Sequence, residues 1–598
     1  MMNKFPLLLF CIGIITHTQI RSQSLLSNIE GRNFTSLNGK WEIIIDPFNS
    51  GAGNWNPIWK DLHPTGKYDF YEYQFDNAIT LNVPGDWNSQ HPNLLYYEGT
   101  VWYKKTFRYQ QKESKRTFVY FGGANYNVDV YLNNEKLGSH EGGFTPFQFE
   151  ITEKIKQGEN SIIVRVNNQR TEDGIPALDF DWWNYGGITR DVYLAETPSS
   201  YIQDYFIQLK KNDASQMEGW VQLAGISMQK KFGITIPELK INYTSETDVA
   251  GKANISIHAK PILWTPENPK LYDVIIHTET DSIHEQIGFR TIETKGTEIL
   301  LNGKSIFLRG INIHEEIPQR AGRANSETDA QMLLGWAKEL GCNFVRLTHY
   351  PHNEHMVRAA DKMGILLWEE IPLWQGIQFS NPIILRKATT LLDEMISRDK
   401  NRSAIILWSL SNETSPSESR DQTLTAMAAH ARTLDPTRLI TSAFNHVNYK
   451  KNQITIDDSV SKYLDAVGVN EYIGWYGQWP ARPEEMEWKF PFNRPLIMTE
   501  FGGEALYGNH GPVDTASSWS EEYQEQIYKD QLIMLKKIPF LCGMAPWILA
   551  DFRSPGRMHP IYQQGWNRKG LLSDKGLKKK AWYVLHEYYS EFQIRNIK

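Results

Sequence analysis

Residues 37–194 carry short runs in which apolar and polar positions alternate. The runs at 41–45, 101–107, 118–121, 128–132 and 161–166 predict strands, with Asn133-Asn134 and Gly142-Gly143 as turns. This pattern predicts a β-sandwich of jelly-roll size over residues 24–198. A second β region, 199–291, has strand runs at 255–258 and 272–276, separated by Trp264-Thr265-Pro266-Glu267-Asn268-Pro269. Its size suits an immunoglobulin-like β-sandwich. Beyond residue 292 the pattern changes. Short apolar runs at 307–311, 343–347, 365–368, 404–410, 438–441, 466–469, 496–499 and 542–547 alternate with segments of helical character. Those segments open near Ser326 and cover 354–362, 384–398 and 423–434. Eight strands with mostly helical connections predict a (β/α)8 barrel over 292–598, with its active site at the C-terminal ends of the strands.

A chain of 598 residues is too long for one core, which agrees with three domains. A net charge of −6 offers no footprint for nucleic acid. The cluster Lys575, Lys578, Lys579 and Lys580 is expected to be the solvated face of a helix. At the N-terminus, Lys4 precedes the apolar run 7–15 and a polar stretch through Ser24. That layout predicts a signal peptide over 1–23 and a secreted or periplasmic protein. No other segment is apolar enough to insert in a membrane. Only Cys342 and Cys542 follow it, so buried free thiols are expected in place of a disulfide framework.

Two strand-like runs end in a carboxylate. One is 404–413, closing on Asn412-Glu413; the other is 495–500, closing on Glu500. In a barrel these follow strands four and seven, so both carboxylates face the catalytic end. A pair of such acids is what a retaining glycosidase needs. Glu413 is the expected acid/base, kept protonated by a raised pKa, and Glu500 the expected nucleophile. Retention requires the two carboxyls to lie about 5 to 5.5 Å apart. The cluster His349, His352, Glu354 and His355 lacks metal-ligand spacing such as H-E-x-x-H. No cofactor is expected.

The segments Asn343-Phe344-Val345-Arg346-Leu347-Thr348-His349-Tyr350-Pro351 and 399–413 resemble the two signatures of glycoside hydrolase family 2. The domain order, the strand 310–315 and the loop 264–269 resemble that family too. This resemblance implies Glu413 as acid/base, Glu500 as nucleophile and Asn412 on the sugar 2-hydroxyl. Within the family the chain is most similar to β-glucuronidases. Asn470-Glu471-Tyr472-Ile473-Gly474-Trp475-Tyr476 resembles a strand-six segment that implies Tyr472 beside the nucleophile and Tyr476 along the sugar site. Asn567-Arg568-Lys569-Gly570 resembles the motif whose Asn and Lys clamp a sugar carboxylate. A carboxylate taken from water needs such a cation and such a donor. Asp181, in a jelly-roll loop, would bind a ring hydroxyl. Trp547 would stack on the sugar or support Glu500, and His314 and His349 would line the pocket. Gln563 departs from the pattern, since glucuronidases commonly place an Arg there. The short path from Trp374 to the next helix implies an open site.

These readings converge on a retaining exo-β-glucuronidase acting on the ends of uronate-containing glycans. A β-galactosidase or β-galacturonidase of the same family, and a non-catalytic sugar-binding protein, are the alternatives. The expected partner is a carbohydrate; no nucleic acid and no membrane insertion are implied, and the oligomeric state is left open.

Overall fold

The computed structural model describes residues 25–53, 56–110, 112 and 115–595. The segment expected as a signal peptide lies outside the described residues.

The N-terminal sandwich packs a six-stranded antiparallel sheet, with strands such as Gly39–Asp46, Thr100–Tyr109 and Gly158–Asn167, on a four-stranded one that includes Lys115–Phe121 and Val192–Pro198. The inward faces of both supply its core, including Trp41, Tyr103, Val164, Phe121 and Phe147. The second domain pairs a three-stranded sheet with a four-stranded one. In its strand Lys252–His258, buried and exposed residues alternate, so Ala253, Ile255 and Ile257 point inward. This is the period of a half-buried strand.

The C-terminal domain is a closed barrel of eight parallel strands. They are β1 (Leu308–His314), β2 (Phe344–Thr348), β3 (Leu366–Glu370), β4 (Ile405–Asn412), β5 (Leu439–Phe444), β6 (Val467–Asn470), β7 (Leu496–Glu500) and β8 (Leu541–Met544). Helices follow β1 to β4 and β7 to β8: α1 (Glu327–Leu340), α2 (Glu354–Met363), α3 (Pro382–Asp399), α4 (Glu418–Leu434), α5 (Glu521–Leu535) and α6 (Lys580–Arg595). Ser326, Asn353, Asn381, Ser417 and Ser520 cap the first five of these helices by accepting a backbone N–H. Helix α4 starts at Glu418, five residues before the expected start, because Ser417 is its cap. After β5 and β6 the connections hold short strands and single 3-10 turns where a helix would stand.

The run 399–413 has two jobs. Its first half is a dock for the immunoglobulin-like domain. The Lys400 ammonium pairs with Asp204 at 2.6 Å, and Arg402 with Glu285 at 2.6 Å. Asn401 donates to the Tyr205 carbonyl and accepts from the Ile207 N–H. Trp264, from the loop 264–269, is fully buried and donates to the Asp361 carbonyl on α2. The second half crosses the barrel as β4 and delivers Asn412 and Glu413.

The lysine cluster is a correction. Lys579 is fully buried, not solvated, and precedes α6. It donates to Asp551 at 2.7 Å and to the carbonyls of Ala505 and Arg568. A buried ammonium needs such partners, and here they anchor the loop that carries Lys569. Cys342 and Cys542 are buried free thiols, and burial pushes both up in pKa.

Candidate active site

At the C-terminal end of the barrel lies a cavity of about 730 Å³. Glu413, Glu500, Asp181, His349, Tyr472, Tyr476, Trp547 and Lys569 all line it. Three other expected site residues do not. Asn412 sits just under the floor, 2% exposed; its Oδ1 accepts from Arg346 at 2.8 Å, and its Nδ2 has no partner. That donor is buried without a partner. His314 is packed behind Trp547 and Phe552, with Nδ1 on the Tyr350 hydroxyl at 3.2 Å. Burial, reinforced by the neighbouring His349, keeps it neutral with a pKa well below the usual range. It supports the wall and does not form it. Asn567 is fully buried and spends its Nδ2 on Asp181 Oδ2 at 2.9 Å. In this geometry Asn567 holds Asp181 and does not face the cavity.

Glu413 adopts φ of 53°, a left-handed conformation at the end of β4. Its N–H donates to the Ala443 carbonyl on β5, which pins the turn. Two amides hold its carboxyl: Gln375 Nε2 at 2.8 Å and Asn470 Nδ2 at 2.9 Å. The residue is partly exposed to the cavity although protein surrounds it. Burial, with the Glu500 carboxylate second, raises its pKa to about 7 despite both amides. Such a group carries a proton near neutrality and can give it to a leaving oxygen.

Glu500 ends β7 and is 4% exposed. Arg346 Nη1 donates to its Oε1 at 2.8 Å, and the Tyr472 hydroxyl to its Oε2 at 2.7 Å. Donors on both oxygens orient a carboxylate for attack. Arg346 also grips Glu370 at 2.9 Å. Burial would lower the Arg346 pKa, but the Glu370 and Glu500 carboxylates outweigh it and keep the guanidinium charged. Arg346 thus ties β2, β3, β4 and β7 together beneath the two acids. His349 adds its Nδ1 to Glu370 at 2.8 Å and stacks on Trp547 at 4.8 Å.

Two cations, Lys569 and Arg557, also line the cavity. Lys569, 1% exposed, donates to the Tyr476 hydroxyl at 2.7 Å and lies 3.4 Å from Glu504. Burial would lower its pKa; the Tyr476 hydroxyl and Glu504 outweigh that and hold it raised. Arg557 is one that sequence reasoning missed. It donates to Asp181 Oδ2 at 3.1 Å and to the Tyr476 hydroxyl at 3.1 Å, and lies 3.5 Å from Glu504. Burial would raise the Asp181 pKa, but Arg557 outweighs it and the carboxyl is held low. Gln563 donates to Glu504 Oε2 at 3.0 Å, so it fills the acceptor that a nearby cation would use. Arg346 was within sight of sequence reasoning as a lone charge inside an apolar strand. Nothing local marks Arg557, whose partner Asp181 is 376 positions away.

Among the described residues, no group of His, Cys, Asp and Glu is arranged to hold a metal ion. The cavity therefore offers a proton donor, a carboxylate and two cations within one sugar-sized space.

The sugar binding domain of glycosyl hydrolases family 2 matches residues 34–198, the central family 2 domain residues 200–290, and the family 2 TIM barrel domain residues 292–594. A beta-glucuronidase of Rattus norvegicus is 27% identical over 93% of this chain and 91% of its own length. The solved beta-glucuronidase of an uncultured Clostridium sp. superposes with a TM-score of 0.80 at 25% identity, covering 96% of this chain and 100% of that one. A galacturonate-bound beta-galacturonidase of Eisenbergiella tayi shares the fold, with a TM-score of 0.78 at 24% identity over 94% of this chain and 98% of its own. The chain belongs to glycosyl hydrolases family 2 and is a glycoside hydrolase.

Proposed function

We propose that this protein is a retaining exo-β-glucuronidase that removes terminal glucuronate from oligo- or polysaccharides. The observation that carries the reading is that Lys569 and Arg557 line the same cavity as Glu413 and Glu500. A neutral sugar has no use for a buried ammonium with a guanidinium beside it. A sugar carboxylate leaving water needs them. Lys569 has three protons and only two nearby acceptors, so one remains for the substrate. Asp181, held by Arg557 and Asn567, takes a ring hydroxyl at the same end.

In the first step Glu500 attacks C1 as Glu413 protonates the leaving oxygen, and a covalent glycosyl-enzyme forms. In the second step Glu413, now ionised, takes a proton from water, which attacks C1 and frees Glu500. The family resemblance gives Asn412 the 2-hydroxyl; its Nδ2, buried without a partner, would have to be reached by that hydroxyl.

The test is the initial rate on an aryl β-D-glucuronide beside the matching galactoside and galacturonide, for wild type and Lys569→Ala. The expected result is a strong glucuronide preference that falls by about 10 to 100-fold in the variant, the scale of one lost charge-assisted contact. The galacturonide arm matters because galacturonate differs only at C4 and is the ligand of a structural relative. Preference for the galactoside would make the two cations structural. We also propose export, on the N-terminal pattern alone; the length of the mature chain recovered outside the cytoplasm tests it.

A further inference from the structure

The cavity takes its charged groups from several loops. Its cations Lys569 and Arg557 both come from the loops after β8. The ends of β4, β5 and β6 contribute Glu413, Asn445, Asn470 and Glu471, with Gln375 after β3; farther along the loop after β6, the Tyr476 hydroxyl accepts from both cations. Glu471 is not used in either step above. It lies between Asn470, which holds Glu413, and Tyr472, which holds Glu500. Its own carboxyl faces Tyr449, on the loop after β5. Burial, offset only in part by the Tyr449 hydroxyl, raises its pKa to about 7.

The position of Glu471 follows from the sugar ring. In a pyranose the C4–C5 bond lies opposite C1–C2. The clamp of Asp181, Arg557 and Lys569 takes the C4–C5 end, so C1 points away from it, toward Glu413. Whatever is attached to C1 then extends beyond Glu413, over the ends of β4, β5 and β6. We infer that Glu471, with Asn445 and Gln375, forms the leaving-group subsite and restricts it to uncharged, hydroxyl-bearing groups. This rests on the uronate reading for the orientation of the ring.

The charge argument has three parts. A second carboxylate entering beside Glu471 meets a like group, which disfavours it whether Glu471 is ionised or must take up a proton. Asp179, exposed at the rim, adds a further negative charge. The one other cation lining the cavity, Arg170, is already engaged: it donates to both Glu98 oxygens at 3.0 and 3.1 Å and stacks on Phe180 at 4.1 Å. An anionic leaving group therefore gives up its water with no cation to replace it. A neutral sugar finds two amides and a carboxyl, which suit hydroxyls. The substrate class that follows is a glycan in which the terminal uronate caps a neutral sugar. A homopolymer of uronates, which would present a second carboxylate here, is excluded.

The experiment compares 4-carbamoylphenyl and 4-carboxyphenyl β-D-glucuronides with wild type, Glu471→Gln and Glu471→Lys. The readout is the ratio of kcat/KM for the neutral over the anionic substrate. Intrinsic reactivity of the two phenols cancels when ratios are compared between proteins. Glu471→Gln, which keeps the shape, should lower the ratio by about tenfold, and Glu471→Lys should lower it further. An unchanged ratio in both variants overturns the inference. So does a wild-type preference for the anionic substrate that Arg170→Gln abolishes. The same two phenols on β-D-galactose separate the two readings. If only the galactosides are cleaved, the uronate reading fails, and the ratio on galactosides still decides whether Glu471 sorts leaving groups by charge.

Discussion

Two carboxyls in one cavity are held in opposite ways, and the difference is visible atom by atom. Glu500 receives a guanidinium and a phenol. Glu413 receives only neutral amides and sits near a like charge. Activity should therefore fall as pH rises through about 7 and Glu413 loses its proton, which a pH profile of kcat/KM checks. The same shift has a stability side. A carboxyl with a raised folded pKa binds its proton more tightly in the fold than in the unfolded chain. Its contribution is fully present below about 4.5 and is lost as pH rises through about 7. Glu413→Gln should therefore gain stability over wild type across that window, by about 1–2 kcal/mol after discounting for cavity water. Thermal unfolding at pH 4 and pH 8 measures it. Arg557→Gln should lower kcat/KM for a uronide by about 10 to 100-fold and leave a neutral glycoside far less affected. Glu413 and Glu500 were legible because each ends an apolar strand at a barrel's catalytic face. Arg557 was not, because its meaning depends on Asp181, in another domain. Asn567 and His314 were placed one layer too far forward, since a motif names residues without saying which way they face.

At the scale of elements, strand β4 joins a dock to a catalyst. The Arg402–Glu285 pair at its foot is almost fully buried, 4% and 2% exposed at the side chains. Burial would raise the Glu285 pKa, but Arg402 and Arg358 outweigh it and hold it at about 2. A depressed folded pKa gives stability that is present above about 4.5 and is lost as pH falls toward about 2. The domain contact should therefore loosen in acid over that window. Arg402→Ala should destabilise the protein by about 1–3 kcal/mol, the loss of a charged hydrogen bond, since Arg358 and the Tyr205 hydroxyl stay on Glu285. Denaturant unfolding reads the loss, and KM should move little, because the site is at the other end of the strand. The barrel strands were predictable because each carries a short apolar run. The missing helices after β5 and β6 were not, since short irregular connections carry no 3.6-residue period. Lys579 misled for a related reason: charge runs are usually solvated, and only tertiary contacts reveal a buried one.

The whole molecule places one wall of its site on a different domain from the chemistry. The jelly roll supplies Asp181 and Phe180, the barrel everything that reacts. At about 730 Å³ the cavity suits one sugar and part of the next. Hydrolysis should therefore release monosaccharide from the first turnover. Chromatography of early products from a uronate-tipped oligosaccharide checks this; larger fragments at early times would contradict it.

The contact between Asp181 and Arg557 also has a schedule. The two residues are separated by 376 positions, and the ribosome needs about 20 to 75 s to cover them. During that interval the finished sandwich presents Asp181 with neither of its basic neighbours, beside aromatic side chains that the barrel has yet to cover. A transcript cut short between codons 500 and 557 yields a long polypeptide with both glutamates and without Arg557 or Lys569. The last tenth of the message thus decides whether the first third was worth translating, and premature termination late in the gene is as complete a loss as termination early in it.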